Sequence, residues 1–419
     1  MTRLRPTDTR LHHSGRPPCR PWNTVAAARA NRTLVLSLVG FALLSTASAP
    51  AQNHGGPHVI QAAAYVTTDG SIAAGGLLVI TDEHITQVAG NAPPGASTDD
   101  YPGAVLCSGL IDCQAALGAA GNLGERQSAI QAHANARDAF NRYSRELRAA
   151  LAAGVTTFAL TPDDQNLIGG CVAVCQTAGP DGRPRLLTDT GPLKLSLSPA
   201  AFKVDREPTS RIGALGLLRE TIESARAGGQ GQRDPLAAFA AGQSPALLTA
   251  PSAADVLAAL QLADEYGVKW ILAHTTDARR VADQLGAATP RVTGLVVGPF
   301  DLTTGPRDAA AAGLFERQHV PVAIAGGLPG EPADSLRVGA AVAARAGLSP
   351  SAARRAITAV PASLLGVAER IGVLETGHQA DVVVFSGDPL DLRSRVLAVY
   401  VAGRRVYVAE PNTTFGDQP

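Results

Sequence analysis

Two hydrophobic patterns divide the chain. In residues 57–107 and 371–409, short apolar runs are separated by turn residues every few positions, which is typical of β-strands joined by tight turns. In residues 108–368, short apolar runs alternate instead with amphipathic stretches of a dozen residues or more. This alternation predicts strand–helix units arranged around a parallel sheet, and therefore an α/β fold.

The middle segment has enough repeated units to close into a barrel. Functional side chains of such barrels lie at the carboxyl ends of the strands, so candidate site residues are sought there. The predicted strands are 110–113, 156–160, 171–175, 246–250, 270–274, 294–298 and 320–324, and the clearest predicted helices are 254–265, 276–285 and 334–346.

Residues 1–51 have the layout of an export signal. Seven arginines and one acidic residue in 1–33 precede an apolar run at 34–44 and a stretch of small residues at 45–51. The apolar run has about 11 residues, whereas a membrane-spanning helix needs about 20. We therefore predict cleavage after Ala49 or Ala51, with Ala51 preferred, export to the periplasm or the medium, and no stable membrane anchor.

Composition predicts a large folded core, and net charge argues against nucleic acid as a binding partner. The chain of 419 residues is 45% hydrophobic and 17% charged, so it can bury a large core. Removing residues 1–51 lowers Lys+Arg from 36 to 29 and Asp+Glu from 36 to 35, which leaves a net charge of −6. No basic face for nucleic acid is expected. The remaining cysteines, Cys107, Cys113, Cys171 and Cys175, are predicted to be buried thiols.

Three segments resemble the amidohydrolase superfamily, and in particular its imidazolonepropionase-like members. Residues 108–112 read Ser-Gly-Leu-Ile-Asp, residues 154–157 read Gly-Val-Thr-Thr, and residues 356–389 include Ala380-Asp381 and Gly387-Asp388-Pro389. The resemblance implies a distorted (β/α)8 TIM-type barrel at 108–368. It also implies a small β-sandwich built from both chain ends, 52–107 and 369–419.

The metal ligands of that family are mostly missing here. The first strand of the family ends in His-x-His, and the corresponding positions hold Gln114 and Ala116. The fifth-strand histidine is replaced by Thr249, and the aspartate after the eighth strand by Gly327. Only the sixth-strand histidine is retained, as His274.

A lysine that some family members carbamylate to bridge two metals is assigned to the position of Gln176. The three lysines of the chain are Lys194, Lys203 and Lys269, and none ends a predicted barrel strand. Zinc sites use three or four protein ligands, and one imidazole does not meet that need. We therefore predict no metal and no other cofactor.

The remaining candidates for chemistry are few. His274, Asp112 and Asp301 are candidate catalytic groups, and Gln114, Gln176, Thr249 and Asn166 are candidate substrate contacts. Two interpretations stay open for His274, a general base at the barrel mouth or a structural imidazole beneath the loops. Asp112 is either a base or a carboxylate that binds backbone amides.

Two functions follow from this pattern. The first is an exported, metal-free pseudoenzyme that binds a small molecule or pairs with an active paralogous subunit, as part of a homo- or hetero-oligomer. The second is an active hydrolase of C–N bonds other than peptide bonds, with a reduced site centred on His274.

Overall fold

The computed structural model describes residues 56–228, 234–288, 290–300 and 305–410. The predicted signal at 1–51 and the candidate Asp301 lie outside the described residues. The strands are β1 (His58–Val66), β2 (Ile72–Thr81), β3 (His84–Val88), β4 (Ser97–Ser108), β5 (Leu110–Ala115), β6 (Val155–Leu160), β7 (Ile168–Cys171), β8 (Ala173–Gln176), β9 (Arg185–Thr188), β10 (Leu193–Ser196), β11 (Ala246–Thr249), β12 (Trp270–Ala273), β13 (Val292–Val297), β14 (Val322–Ile324), β15 (Val382–Phe385), β16 (Val396–Val401) and β17 (Arg404–Val408).

Helices follow most strands of the middle segment. They are α1 (Glu146–Ala152), α2 (Arg211–Ala227), α3 (Pro235–Ala240), α4 (Ala253–Tyr266), α5 (Ala282–Ala287), α6 (Gly305–Arg317), α7 (Ser335–Arg345), α8 (Pro350–Arg355) and α9 (Ala359–Leu364). Within the described ranges, no helix combines the length and apolarity that a membrane crossing needs.

One sheet combines strands from both ends of the chain. Its order is β17-β16-β15-β4-β1-β2-β3, with β4 parallel to β1 and antiparallel to β15. Alternate residues of these strands enclose an apolar core that includes Ile60, Leu78, Val382 and Tyr400. The two ends therefore share one sheet, and the predicted division into sandwich and barrel domains stays a prediction.

The middle segment forms two further sheets. Strands β10 to β14 are mutually parallel and continue to β7, while β5, β6, β8 and β9 form a separate sheet. The mixed α/β fold is thus confirmed. The predicted strand 171–175 is corrected to the short strands β7 and β8, which run antiparallel to β10 and β6 respectively.

No continuous ladder closes the barrel within the described residues. Between β5 and β14 the chain inserts the segment after α8, where Ile111 donates its N–H to Ile357 O at 2.8 Å and Ile324 donates to Ala356 O at 2.9 Å. Residues 356 and 357 thus accept backbone hydrogen bonds from both β5 and β14. These bonds replace the ones that the two strands would form if they paired directly. A closed eight-stranded barrel is therefore not what the described residues form.

Packing of α4 fixes the start of β12. Ser252 and Asp255 form a reciprocal capping box at the first turn of α4, and Gly267 ends the helix at φ 63°. Trp270 is fully buried, donates its indole N–H to Ala259 O at 2.8 Å and packs against Phe239. These contacts hold β12 in place, and with it the histidine that follows the strand.

The four cysteines of the described part of the chain are free and buried, as predicted. Burial raises the pKa of the Cys107 and Cys175 thiols to about 12. Since the thiolate is the reactive form, these thiols are inert.

Candidate functional site

Polar side chains from four strands meet in the interior of the middle segment. Gln114 belongs to β5, Lys194 to β10 and Thr249 to the end of β11, while His274 directly follows β12. The fifth member is Asp164, in the loop after β6. We call these five residues the mouth cluster.

Lys194 lies at the base of the mouth cluster. Its ammonium donates to Asp164 Oδ1 at 2.5 Å, to Thr249 Oγ1 at 2.8 Å and to Leu195 O at 2.9 Å. The Lys194 side chain is 1% exposed, whereas that of Asp164 is 28% exposed. An ammonium has three N–H donors, so Lys194 is fully satisfied by the protein, and its counter-charge faces outward.

The pKa shifts of the cluster follow from burial and from this ion pair. Burial lowers the pKa of Lys194, and the Asp164 carboxylate opposes that effect. Burial also raises the pKa of Asp164, but the nearby ammonium outweighs it and holds the pKa below its usual range. For His274, burial and then the Lys194 charge lower the pKa against the pull of Asp164. The imidazole is therefore neutral near pH 7.

His274 and Gln114 are joined by a hydrogen bond between the two Nε2 atoms, at 2.8 Å. The backbone of His274 has φ 53°, a left-handed conformation that is uncommon outside glycine and recurs at functional sites. Two buried atoms, Oε1 of Gln114 and Oγ1 of Thr275, the residue after His274, have no hydrogen-bond partner among the described residues. Buried polar groups are rarely left unpaired, so these two atoms point to a missing partner.

Asp112 binds backbone rather than facing the mouth. It is fully buried, and its carboxyl accepts from Gln114 N at 3.2 Å and from Gly326 N at 3.1 Å, with a further bond from the amide of Leu328. Burial raises its pKa to about 7, and the three amides oppose that effect. Of the two interpretations of Asp112, the geometry favours the structural one.

Asn166 is occupied within its own loop region. Its Nδ2 donates to Glu125 O at 2.8 Å and to Ser128 O at 2.6 Å, and its Oδ1 accepts from Glu125 N at 2.9 Å. Because every polar atom of the amide is used and the residue is buried, Asn166 clamps residues 125–128. This role replaces the predicted substrate contact.

Gln176 lies at the opposite end of the strands. Strand β8 runs antiparallel to β6, which places Gln176 opposite Thr157 near the amino end of β6. Its amide donates to Asp381 Oδ2 at 2.7 Å and accepts from Arg185 Nε at 2.8 Å. The predicted position at the mouth is therefore corrected, because the antiparallel direction of β8 was not foreseen.

The lysine on a central strand is Lys194, which the sequence prediction missed. Strand β10 was not predicted, because its apolar residues alternate with polar ones instead of forming a run. Leu193, Leu195 and Leu197 alternate with Lys194 and Ser196. Such alternation is the signal of a half-buried strand and could have identified β10.

The donors of the mouth cluster do not suit a divalent metal. They comprise one imidazole, one amide, one hydroxyl and one carboxylate, and that carboxylate is already paired with an ammonium. Across the described residues, no group of three His, Cys, Asp or Glu side chains has a geometry that could hold a metal ion. A positive charge 2.8 Å from Thr249 Oγ1 further opposes a second cation there.

Comparison with known proteins finds similarity to amidohydrolases. A family model described as "Amidohydrolase family" matches residues 278–407. An amidohydrolase from Thermotoga maritima MSB8 superposes with a TM-score of 0.74 at 23% identity, over 84% of this chain and 100% of that one. The chain therefore has the fold of amidohydrolases, and its residues 278–407 match the amidohydrolase family model. The resemblance read from the sequence is thereby confirmed.

Two other solved amidohydrolase-fold proteins are similar. A prolidase complexed with N-methylphosphonate-L-proline has a TM-score of 0.56 at 18% identity, over 84% of this chain and 100% of that one. Phenylurea hydrolase B has a TM-score of 0.54 at 15% identity, over 84% and 96% respectively. No curated protein sequence matches the chain. At these identities the structural likeness establishes the fold of the chain, and its chemistry has to be inferred from the site.

Proposed function

We propose that this amidohydrolase relative is an exported, metal-free protein that binds a small polar molecule at the mouth cluster. The main support is the contact of the Lys194 ammonium with Asp164 and Thr249. Thr249 stands at the position where the resemblance predicts the fifth-strand histidine. Export is proposed from the layout of residues 1–51 alone.

Binding is supported by the unpaired atoms beside His274. Gln114 Oε1 offers an acceptor and Thr275 Oγ1 offers a hydroxyl, both buried and both without a partner among the described residues. A small molecule with an N–H or O–H donor would satisfy the amide oxygen. The neutral imidazole adds one further polar contact.

An active metal-free hydrolase of C–N bonds is the alternative, and the site supports it less. A histidine base is usually oriented by a carboxylate. Among the described residues, no carboxylate lies within ion-pair distance of the His274 ring. His274 bonds to the amide of Gln114 instead, and an amide does not stabilise an imidazolium as a carboxylate does.

Metal content tests the metal-free part. The purified chain is incubated with excess zinc, freed of unbound ion and submitted to elemental analysis, and we expect far less than one zinc per chain. As a matched control, a variant with Gln114→His, Thr249→His and Lys194→Met supplies three imidazoles together with His274, and it should retain zinc. One tightly held zinc in the unaltered chain would overturn the proposal.

Ligand binding is tested by thermal unfolding with a panel of small amides, ureas and amino acids. A compound that occupies the mouth raises the midpoint of unfolding, because it binds only the folded chain. The rise should disappear in Gln114→Leu, which removes the unpaired acceptor, and persist in Arg393→Ala, a change at an exposed side chain outside the cluster. A rise that survives Gln114→Leu would place the ligand elsewhere.

A further inference from the structure

The two outer strands of the seven-stranded sheet differ in how their free edges are covered. Strand β3 is covered by residues 377–380, since Ile85 donates to His378 O at 2.9 Å and Gly377 donates to Ile85 O at 2.8 Å. Strand β17 is the outer strand on the other side and pairs only with β16. Within the described part of the chain, no backbone hydrogen bond satisfies its outer edge.

A groove of about 600 Å³ runs along β17. Val406, Tyr407 and Val408 line one side of it. Successive side chains of a strand point to opposite faces, so three consecutive lining residues indicate that the groove reaches the strand edge. The other side is formed by residues from the segment 142–151, by Thr177 and by Gly182 and Pro184, and it includes the 87% exposed Tyr143.

Among the described residues, the open edge has no proline and no covering segment, although the strand is short and begins with two arginines. Natural edge strands are blunted by proline, by inward charges or by a covering segment. Strand β17 ends in the run Val406, Tyr407 and Val408, and Val408 is 54% exposed. An edge of this kind accepts another strand through main-chain hydrogen bonds.

The sequence of the edge is complementary to itself. In an antiparallel pair of two copies centred on Tyr407, Val406 lies opposite Val408 and Arg404 lies opposite Glu410. Arg404 and Glu410 are both exposed, and the two-fold axis repeats this opposite-charge pair twice. A pair centred on Arg405 would instead place two guanidinium groups against each other.

From the open edge, the groove and this register, we propose that β17 pairs with β17 of a second copy and forms a symmetric dimer. The partner strand lies in the groove, and the exposed Tyr143 covers it from the other wall. The proposal is independent of any ligand at the mouth cluster. It commits to an isologous contact, so each copy offers the same strand and receives the same strand.

Charge exchange tests the register. By light scattering after gel filtration, the unaltered chain should be a dimer, and Arg404→Glu or Glu410→Arg should each raise the dimer dissociation constant about tenfold, because two attractive pairs become repulsive. The double variant R404E/E410R should recover the dimer. An equimolar mixture of the two single variants should recover it too, since both cross-strand pairs are then opposite in charge.

Cysteine cross-linking tests the contact directly. In a Cys19→Ser background, Tyr407→Cys should form a disulfide-linked dimer, since direct cross-strand neighbours are about 5 Å apart. Val406→Cys alone should not cross-link, whereas mixed with Val408→Cys it should. A monomeric unaltered chain overturns the proposal, and so does a dimer that is indifferent to both charge reversals and does not cross-link through Tyr407→Cys.

Discussion

Asp164→Asn should lower the free energy of unfolding by about 3–5 kcal/mol at neutral pH. The change leaves the Lys194 ammonium, 1% exposed, without its counter-charge. Lys194→Met should cost less, about 1–3 kcal/mol, because the carboxylate it leaves behind is partly solvated. Denaturant titration of the two variants beside the unaltered chain measures the difference.

The pH dependence of Asp164→Asn distinguishes a buried charge from a lost contact. Without the carboxylate, burial depresses the pKa of Lys194 further, so the folded chain binds fewer protons than the unfolded chain in the alkaline range. The loss of unfolding free energy in Asp164→Asn is then complete below the pKa of Lys194 in the folded chain. It decreases as pH rises toward the pKa of a lysine in the unfolded chain, about 10.4. The double variant K194M/D164N, which removes both charges, should recover most of the loss. A loss in Asp164→Asn that does not change with pH would show that Lys194 is not held as a buried cation.

These variants bear on the chemistry of the whole mouth. The Lys194 ammonium is a fixed cation that the chain itself supplies among the strand ends, with Asp164 as its partner and Thr249 as its second acceptor. A resident cation requires no ligand set of imidazoles and carboxylates, which agrees with the amide of Gln114 and the hydroxyl of Thr249 at positions where the resemblance predicts histidines. Burial keeps His274 neutral, because Asp164 and Lys194 shift the pKa of the imidazole in opposite directions.

Sequence patterns identified most of the strands of the parallel sheet because those strands are apolar runs. Strands β5, β6, β11, β12 and β13 were all predicted within a few residues of their observed bounds. Strand β10 escaped because its polar residues point toward the mouth cluster, and a strand that supplies a buried lysine cannot be uniformly apolar. The lysine that breaks the apolar run of β10 is thus the residue that β10 contributes to the mouth cluster.

The sequence predicted the positions of candidate site residues well at strand ends. It predicted them poorly where the hydrogen-bond partner of the residue lies far away in the sequence. Gln114, Thr249 and His274 follow from strand ends, and the structure brings them into one cluster. Asn166 and Gln176 are determined by residues 125–128 and by Asp381, at separations of roughly forty and two hundred positions. No periodicity encodes such partners, so their burial in structural networks could not be read from the chain.

The edge of the sheet presents a similar limit. The sequence predicts β17 as a strand, but it does not show whether another segment covers the outer edge of that strand. In the structure, the segment that covers an outer strand of this sheet is 377–380. Those residues cover β3 at the other side of the sheet. An oligomer was predicted in general terms, and only the topology identifies which strand is available for it.

Asp112→Ala should lower the free energy of unfolding by about 2–4 kcal/mol in mildly acidic solution, since it leaves the amides of Gln114, Gly326 and Leu328 without their acceptor. These bonds tie the end of β5 to the segment after β14, at the place where no ladder joins the two sheets. Denaturant titration at several pH values gives the loss. Asp112→Asn is the matched control, because it keeps one acceptor oxygen and cannot ionise.

The pH profile of that loss decides which form of Asp112 the fold prefers. Burial raises the folded pKa to about 7, well above the unfolded value, so the folded chain binds more protons between the two values. The contribution of Asp112 is therefore complete below about pH 4 and is lost as pH rises to about 7. The cost of Asp112→Ala should shrink over the same interval, and the stability of Asp112→Asn should approach that of the unaltered chain. If the loss of unfolding free energy in Asp112→Ala grows with pH, the fold stabilises the ionised carboxylate. That outcome would favour the catalytic interpretation of Asp112.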